Sequence, residues 1–258
     1  MNLIVIPARM AASRFPGKPM TKILGRPMIE HIVRRSHFAK LPDVITVATC
    51  DREIHDFVTG LGFLATMTGS QHERATERVA EALAKIEKEK GSRAELVIMV
   101  QGDEPMVDPG MIDMLIEGLK RSPDVDVLNL MIEIRDDSEF LDPNAVKVVV
   151  DPKGDALYFS REPIPSSKKG YKGPRYKQLG MIGFRRDYLL RYVALQPTPL
   201  EIAESVDMMR VLENGDKIRM LACEARCLAV DAPHDVAAVE AAMQDDEWRT
   251  LYETESQA

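Results

Sequence analysis

Ile4-Val-Ile-Pro-Ala-Arg-Met-Ala-Ala-Ser-Arg-Phe-Pro-Gly-Lys-Pro19 is a buried-strand pattern that runs directly into a basic loop. Residues 3–6 are apolar on both faces, which predicts a strand in the middle of a parallel sheet. Pro7, Pro16, Gly17 and Pro19 keep the following segment out of any helix or ladder. A loop leaving the carboxyl end of such a strand lies on the edge where open α/β sheets bind ligands. Arg9, Arg14 and Lys18 are therefore predicted to converge there. Arginine forks match phosphate oxygens in pairs and lysine adds a point charge, so the loop fits a nucleoside triphosphate better than a carboxylate. The plainer alternative is a solvated basic loop, and the glycine pattern of a Walker loop is absent.

The bulk numbers limit the partners. A chain of 258 residues suffices for one large domain carrying a smaller lobe. Its 45% hydrophobic and 29% charged residues exclude disorder and fibres. A net charge of −7 argues against nucleic acid, so the basic loop must act locally. Cys50, Cys223 and Cys227 contain no CxxC pair, and they read as thiols of a reducing cytosol rather than a disulfide framework or zinc site. No run approaches the roughly 18 apolar residues of a membrane span, and no signal-peptide core is visible. The expectation is a cytoplasmic protein without membrane insertion.

Along the chain, a helix is predicted over 27–40, where Met28 and Ile32, and Ile29 and Val33, are i,i+4 neighbours. A strand over 44–48, a helix over 51–61 and a strand over 63–67 complete a βαβαβ alternation, which implies a parallel sheet covered on both faces. A helix over 73–90 carries Glu-Lys pairs on its solvent side. The strand over 96–100 runs into Gln101-Gly-Asp-Glu-Pro105. A carboxylate at the end of a central strand, beside a glycine that permits close backbone approach, suits a Mg²⁺–phosphate site. The alternative is an acidic turn capping the helix over 109–120.

After the strand over 125–134 the period changes. Strands over 145–150 and 156–159 flank the turn sequence Asp151-Pro-Lys-Gly-Asp155, which predicts antiparallel hairpins. Residues 133–185 thus read as an inserted β-rich lobe of a single domain spanning 1–245. The basic stretch 166–177 reads as a mobile solvated loop. A strand over 179–184, one helix over 199–215 with a glycine C-cap, and a strand over 217–221 follow. Asp231 precedes a helix starting at Pro233, where it would pass for an ordinary N-cap. Residues 246–258 read as a frayed tail docked by Trp248.

The run from Pro7 to Pro19, followed by Gly25-Arg-Pro-Met-Ile29, resembles the amino terminus of the 3-deoxy-manno-octulosonate (Kdo) cytidylyltransferases. Gln101-Gly-Asp-Glu-Pro105, Pro143-Asn-Ala-Val-Lys-Val-Val-Val150, Ala156-Leu-Tyr-Phe-Ser-Arg-Glu-Pro-Ile-Pro165 and Val230-Asp-Ala-Pro-His-Asp-Val236 resemble further motifs of that family, in order. His72-Glu-Arg-Ala-Thr-Glu-Arg78 stands where the family carries His-x-Ser-Gly-Thr-Asp/Glu-Arg beside the nucleotide, with departures in the middle.

The resemblance implies a doubly wound, mostly parallel α/β fold whose lobe builds a homodimer. It implies transfer from CTP to an acidic sugar, for lipopolysaccharide or another cell-surface glycan. Asp103 and Asp231 would hold Mg²⁺ and, with Lys18, form the catalytic set. Arg9, Arg14, Lys18 and Arg78 would bind the nucleotide, and Gln101, Arg161, Gln178 and Asp207 the acceptor. Gln178 and Ile182 replace a histidine and a tyrosine of the family pattern, and Asp207-Met208 a Glu-Gln pair, so the acceptor is expected to be Kdo or a modified Kdo such as 8-amino-8-deoxy-Kdo, with the modified sugar favoured over neutral drift in a Kdo enzyme. Another nucleotidyltransferase of this fold is one alternative. A catalytically silent nucleotide-binding protein is another, although it has no need of two carboxylates that repel when metal is absent.

Overall fold

β1 (Asn2–Ala8) is buried at all seven positions, because parallel neighbours close both its edges. The computed structural model describes residues 1–11, 15–224 and 228–255. The chain divides into two units, 1–114 with 226–258, and 115–225. In the first unit β1 is followed by the two-residue strands β2 (Lys22–Ile23) and β3 (Arg26–Pro27), then α1 (Met28–Ser36), β4 (Val44–Thr49), α2 (Arg52–Gly60), β5 (Ala65–Met67), α3 (Ala75–Lys90) and β6 (Leu96–Val100), and the chain passes into the second unit within α4 (Pro109–Arg121). The strands line up β6-β1-β4-β5, all parallel, as the alternation predicts. Val5 sits opposite Thr46 on one side and Met99 on the other.

The first helix is shorter than its pattern. Arg26 and Pro27 pair with Ile23 and Lys22 in an antiparallel hairpin, so helical turns begin only at Met28. The hairpin turn puts Leu24 at φ 48° and Gly25 at φ 85°. Gly25 takes this at no steric cost, whereas Leu24 is strained there. The Leu24 N–H donates to Glu240 Oε1 at 2.8 Å, which holds the turn in place.

The second unit contains β7 (Val127–Glu133), α5 (Asp137–Leu141), β8 (Lys147–Val150), β9 (Ala156–Ser160), β10 (Tyr176–Arg185), α6 (Arg186–Val193), α7 (Pro199–Glu204), α8 (Met209–Glu213) and β11 (Ile218–Cys223). β7 pairs with β11 in parallel and with β10 antiparallel, and β8 pairs antiparallel with both β10 and β9. The predicted hairpin is present. The ladder between β7 and β10 slips between Gln178 and Ile182, and the Asn129 amide fills the slip by donating to Leu179 O (2.9 Å) and Met181 O (2.8 Å).

The single helix expected over 199–215 is two. In a continuous helix Glu201 and Arg210 would lie about 13 Å apart along the axis. Instead the Arg210 guanidinium reaches both Glu201 oxygens, at 2.7 and 2.6 Å, and both side chains are buried. The Glu213 carboxylate also returns to accept from Leu200 N–H and Glu201 N–H at the start of α7. The reversal between α7 and α8 puts Ser205 at φ 50°. Removing either member of such a buried ion pair costs roughly 3–5 kcal/mol, because the other charge is left buried and unpaired.

The first unit ends with α9 (Asp235–Met243) and α10 (Glu247–Glu255). Residues 247–255 are thus helical rather than frayed, and 256–258 lie outside the described residues. Trp248 packs on Phe38, ring centroids 5.5 Å apart. Arg35 on α1, 2% exposed, pairs with Asp246 and donates to Val107 O at 2.6 Å. The His31 imidazole on α1 is fully buried between Tyr252 Oη (2.5 Å) and Ile23 O (2.8 Å). A carbonyl only accepts, so Nε2 carries the proton and Nδ1 accepts from the phenol.

Burial pushes the His31 pKa below its ordinary value, against the smaller upward pull of the Ile23 carbonyl. The unfolded chain therefore binds more protons than the folded one below pH about 6.5, and stability falls as pH drops through that value. Thermal unfolding between pH 7.5 and 5 is expected to show this loss, with a shallower slope in His31→Gln. Equal slopes would assign the acid sensitivity elsewhere. Among the described residues, no helix is long and apolar enough to cross a membrane.

Candidate active site

A cleft of about 260 Å³ opens at the carboxyl ends of β1 and β6, built wholly from the first unit. Arg9, Lys18, His72, Arg74, Arg78, Gln101, Asp103 and Asp231 line it. Residues near 18, 75, 101 and 231 meet because β1 and β6 bring their carboxyl ends to it and α3 its amino end. The loop after β1 is anchored by Met10 N–H donating to Asp51 Oδ2 (2.8 Å) and by Gly17 N–H donating to Met10 O (2.9 Å).

The glycine of the segment after β6 has a specific cause. A Cβ on Gly102 would stand 2.5 Å from Pro7 O, so only glycine lets the two strand ends approach this closely. Asp103 O then accepts from Val230 N–H at 2.9 Å, which ties the third loop to the second. Lys18 Nζ bridges them, donating to Asp103 Oδ2 at 2.9 Å and to Val230 O at 2.6 Å. Asp231 follows directly, with its own N–H and that of Ala232 held by Asp235 Oδ2, both at 2.8 Å. Asp231 is thus not the cap of α9, whose N-cap is His234. Pro233 lies in the turn before that helix.

On the opposite wall Arg78, 3% exposed, donates to Thr68 Oγ1 at 2.5 Å and to Gly69 O at 3.2 Å. Arg9 Nη1 reaches His72 O at 3.4 Å. Glu81 Oε2 accepts from Gly69 N–H at 2.9 Å and from His72 Nε2. Burial raises the Glu81 pKa, but hydrogen bonds from Lys85, Gly69 N–H and His72 outweigh it and pull the carboxyl down to about 2. It stays ionised at any working pH.

Arg9, Lys18, Arg78, Gln101, Asp103 and Asp231 are therefore brought together, and Arg14 lies outside the described residues. Arg161, Gln178 and Asp207 belong to the second unit. There the Arg161 guanidinium donates to Glu204 O (2.7 Å), Pro143 O (2.8 Å) and Ser205 O (3.3 Å). Gln178 N–H donates to Val146 O at 2.8 Å, and Asp207 O accepts from Tyr192 Oη at 2.9 Å. Sequence reasoning did not single out Arg74, Glu81 or Asp235. Asp235, four residues after Asp231, is the one with a readable signal, a carboxylate spaced to close a turn.

Among the described residues no cluster of three or more His, Cys, Asp or Glu could hold a metal ion. Two carboxylates facing one cleft nevertheless fit Mg²⁺, which is commonly held by one or two carboxylates while substrate phosphates and water supply its remaining oxygens.

A family profile described as cytidylyltransferase matches residues 3–218. A 3-deoxy-manno-octulosonate cytidylyltransferase of Geobacter metallireducens is 39% identical over 243 residues, 90% of this chain and 93% of its own. The chain belongs to the Kdo cytidylyltransferase family. A CMP:2-keto-3-deoxy-manno-octonic acid synthetase solved in complex with CTP superposes with a TM-score of 0.87 at 38% identity, covering 94% of this chain and 98% of that one. A glucose-1-phosphate thymidylyltransferase of Bacillus anthracis, described as putative, shares the fold at a TM-score of 0.65 and 16% identity, over 96% and 97% of the two chains. The fold is thus the α/β nucleotidyltransferase fold with a largely parallel sheet. As a cytidylyltransferase the chain is a CTP-dependent nucleotidyltransferase.

Proposed function

We propose that this cytidylyltransferase joins CTP to a 3-deoxy-ulosonic acid, releasing pyrophosphate and giving the CMP-sugar for a cell-surface glycan such as lipopolysaccharide, in the cytoplasm. The observation that carries the reading is the single cleft holding Lys18, Asp103 and Asp231 together with Arg9 and Arg78. The anomeric hydroxyl of the sugar attacks the α-phosphorus in line. The hydroxyl oxygen bonds to the α-phosphorus and gives up its proton to water, while the bond from the α-phosphorus to the bridging oxygen breaks and its electron pair leaves with pyrophosphate. Catalysis is mostly positioning and charge neutralisation. Arg9, Arg14, Lys18 and Arg78 bind the triphosphate. Asp103 and Asp231 would hold Mg²⁺, which supplies further neutralisation of the phosphates when bound. Turnover in a panel of the four NTPs, read by pyrophosphate release, is expected only with CTP. Preference for another nucleotide would defeat the reading.

Gln101, Arg161, Gln178 and Asp207 are assigned to the acceptor. Support comes from Arg161, whose guanidinium meets only carbonyl oxygens among the described residues and so keeps its charge for an anionic ligand. Homodimer formation through the lobe is supported by exposed Leu141 (65%) and Leu157 (61%).

The acceptor is taken to be Kdo or a modified Kdo, with 8-amino-8-deoxy-Kdo preferred. Ile182 and Met208 are buried in the second unit, so their apolar character serves packing, and the preference rests on Gln178 and Asp207. An unpaired buried hydroxyl costs roughly 1–3 kcal/mol, about five- to 150-fold in affinity. Competing the two sugars in one reaction reads the ratio of kcat/KM, which is expected to favour the amino sugar by about tenfold. A preference for plain Kdo would sink the modified acceptor and leave the cytidylyltransferase standing.

A further inference from the structure

We infer that Glu81, which does not itself line the cleft, is a positioning residue for its nucleotide side, acting through His72 and the segment 68–72. The inference rests on the nucleotide reading of that cleft. α3 reaches the segment with three consecutive charged side chains along one face. Arg78 takes Thr68 Oγ1 and Gly69 O, Glu81 takes Gly69 N–H and the His72 imidazole, and Lys85 takes Met67 O at 2.7 Å. Both polar backbone groups of Gly69 are therefore held by α3 side chains.

His72 transmits this to the ligand space. Its side chain lines the cleft, and its carbonyl accepts from Arg9, a cation of the opposite wall. A carboxylate can only accept, so Glu81 fixes His72 with the proton on Nε2 and sets the ring plane. The division of labour between the two Glu81 oxygens makes the role testable. Oε2 serves Gly69 and His72, while Oε1 pairs with Lys85 at 2.7 Å, a side chain 50% exposed that can turn into water. A glutamine can place its carbonyl oxygen at Oε2 and keep both inward bonds, losing only the outer ion pair. Alanine loses all three. No atom of Glu81 touches the cleft, so the chemical step should not feel its loss.

The test is CTP binding by calorimetry and steady-state turnover for wild type, Glu81→Ala, Glu81→Gln, His72→Ala and the double alanine variant. Glu81→Ala is expected to raise the Kd and KM for CTP about tenfold with kcat within about twofold. Glu81→Gln is expected to stay within about threefold of wild type in both. The double variant is expected to be less impaired than the product of the two single effects, because both remove one linkage. An unchanged KM in Glu81→Ala, a fall confined to kcat, a glutamine variant as impaired as alanine, or strictly multiplicative effects would each overturn the inference. Should Glu81→Ala lose the native unfolding transition, Glu81→Asp withdraws the carboxylate by one methylene, and an unchanged KM there overturns it equally. A wild type that binds no nucleotide defeats the functional reading and this inference with it. CTP bound equally well by wild type and Glu81→Ala defeats this inference alone.

Discussion

Asp103→Asn and Asp231→Asn are each expected to lower kcat by at least about 10³, or roughly 4 kcal/mol of barrier, while the fold survives. Both carboxylates face the cleft from loops whose backbones are secured by other groups. Asp103 O is held by Val230 N–H, and the turn at Asp231 by the Asp235 carboxylate. Asparagine matches the shape of aspartate and, at position 103, still offers an oxygen to Lys18, so thermal unfolding should move by only a few degrees. What it loses is the negative charge, and a carboxamide binds Mg²⁺ far more weakly than a carboxylate. Near-normal kcat at saturating Mg²⁺ in either variant would remove that residue from the metal assignment. A collapse of the unfolding transition would make its role structural.

What was legible in the chain follows the range of the forces involved. The central strand, the parallel alternation up to β6 and the β-rich hairpin rest on local hydrophobic periodicity and turn chemistry, and they appear where expected. Lys18, Asp103 and Asp231 were readable because each lies in a short motif with a recognisable family pattern. Features set by contacts between distant residues were not readable. The Glu201–Arg210 pair breaks a helix that every local signal supports. α10 looks like a polar tail, yet it is ordered by His31 and Arg35, more than 200 positions earlier. α6, with three charged residues among its eight, shows too little apolar periodicity to stand out. Glu81 reads as one half of a solvent-side Glu-Lys pair, and it does pair with Lys85. Only the fold reveals that its other oxygen faces inward to Gly69 and His72.

Lys18→Ala is expected to lower kcat by about 10²–10³ while raising the Kd for CTP only a few-fold. The Lys18 side chain is only 14% exposed, and its position is over-determined by Asp103 Oδ2 and Val230 O. An ammonium has three donors, and among the described residues two are engaged, leaving the third for a phosphate oxygen in the same cleft. Because both fixed acceptors sit on the loops that carry the two candidate metal carboxylates, the charge is preorganised and needs no rearrangement as the reaction proceeds. Negative charge accumulates on pyrophosphate as its bond to the α-phosphorus breaks, so a fixed cation gains more interaction in the transition state than with bound CTP. Single-turnover rates and calorimetric Kd values for the same variant separate the two contributions. Weakened CTP binding with an unchanged single-turnover rate would place Lys18 among the binding residues with Arg9 and Arg78, and the stabilisation of the leaving pyrophosphate would then have to come from elsewhere in the cleft.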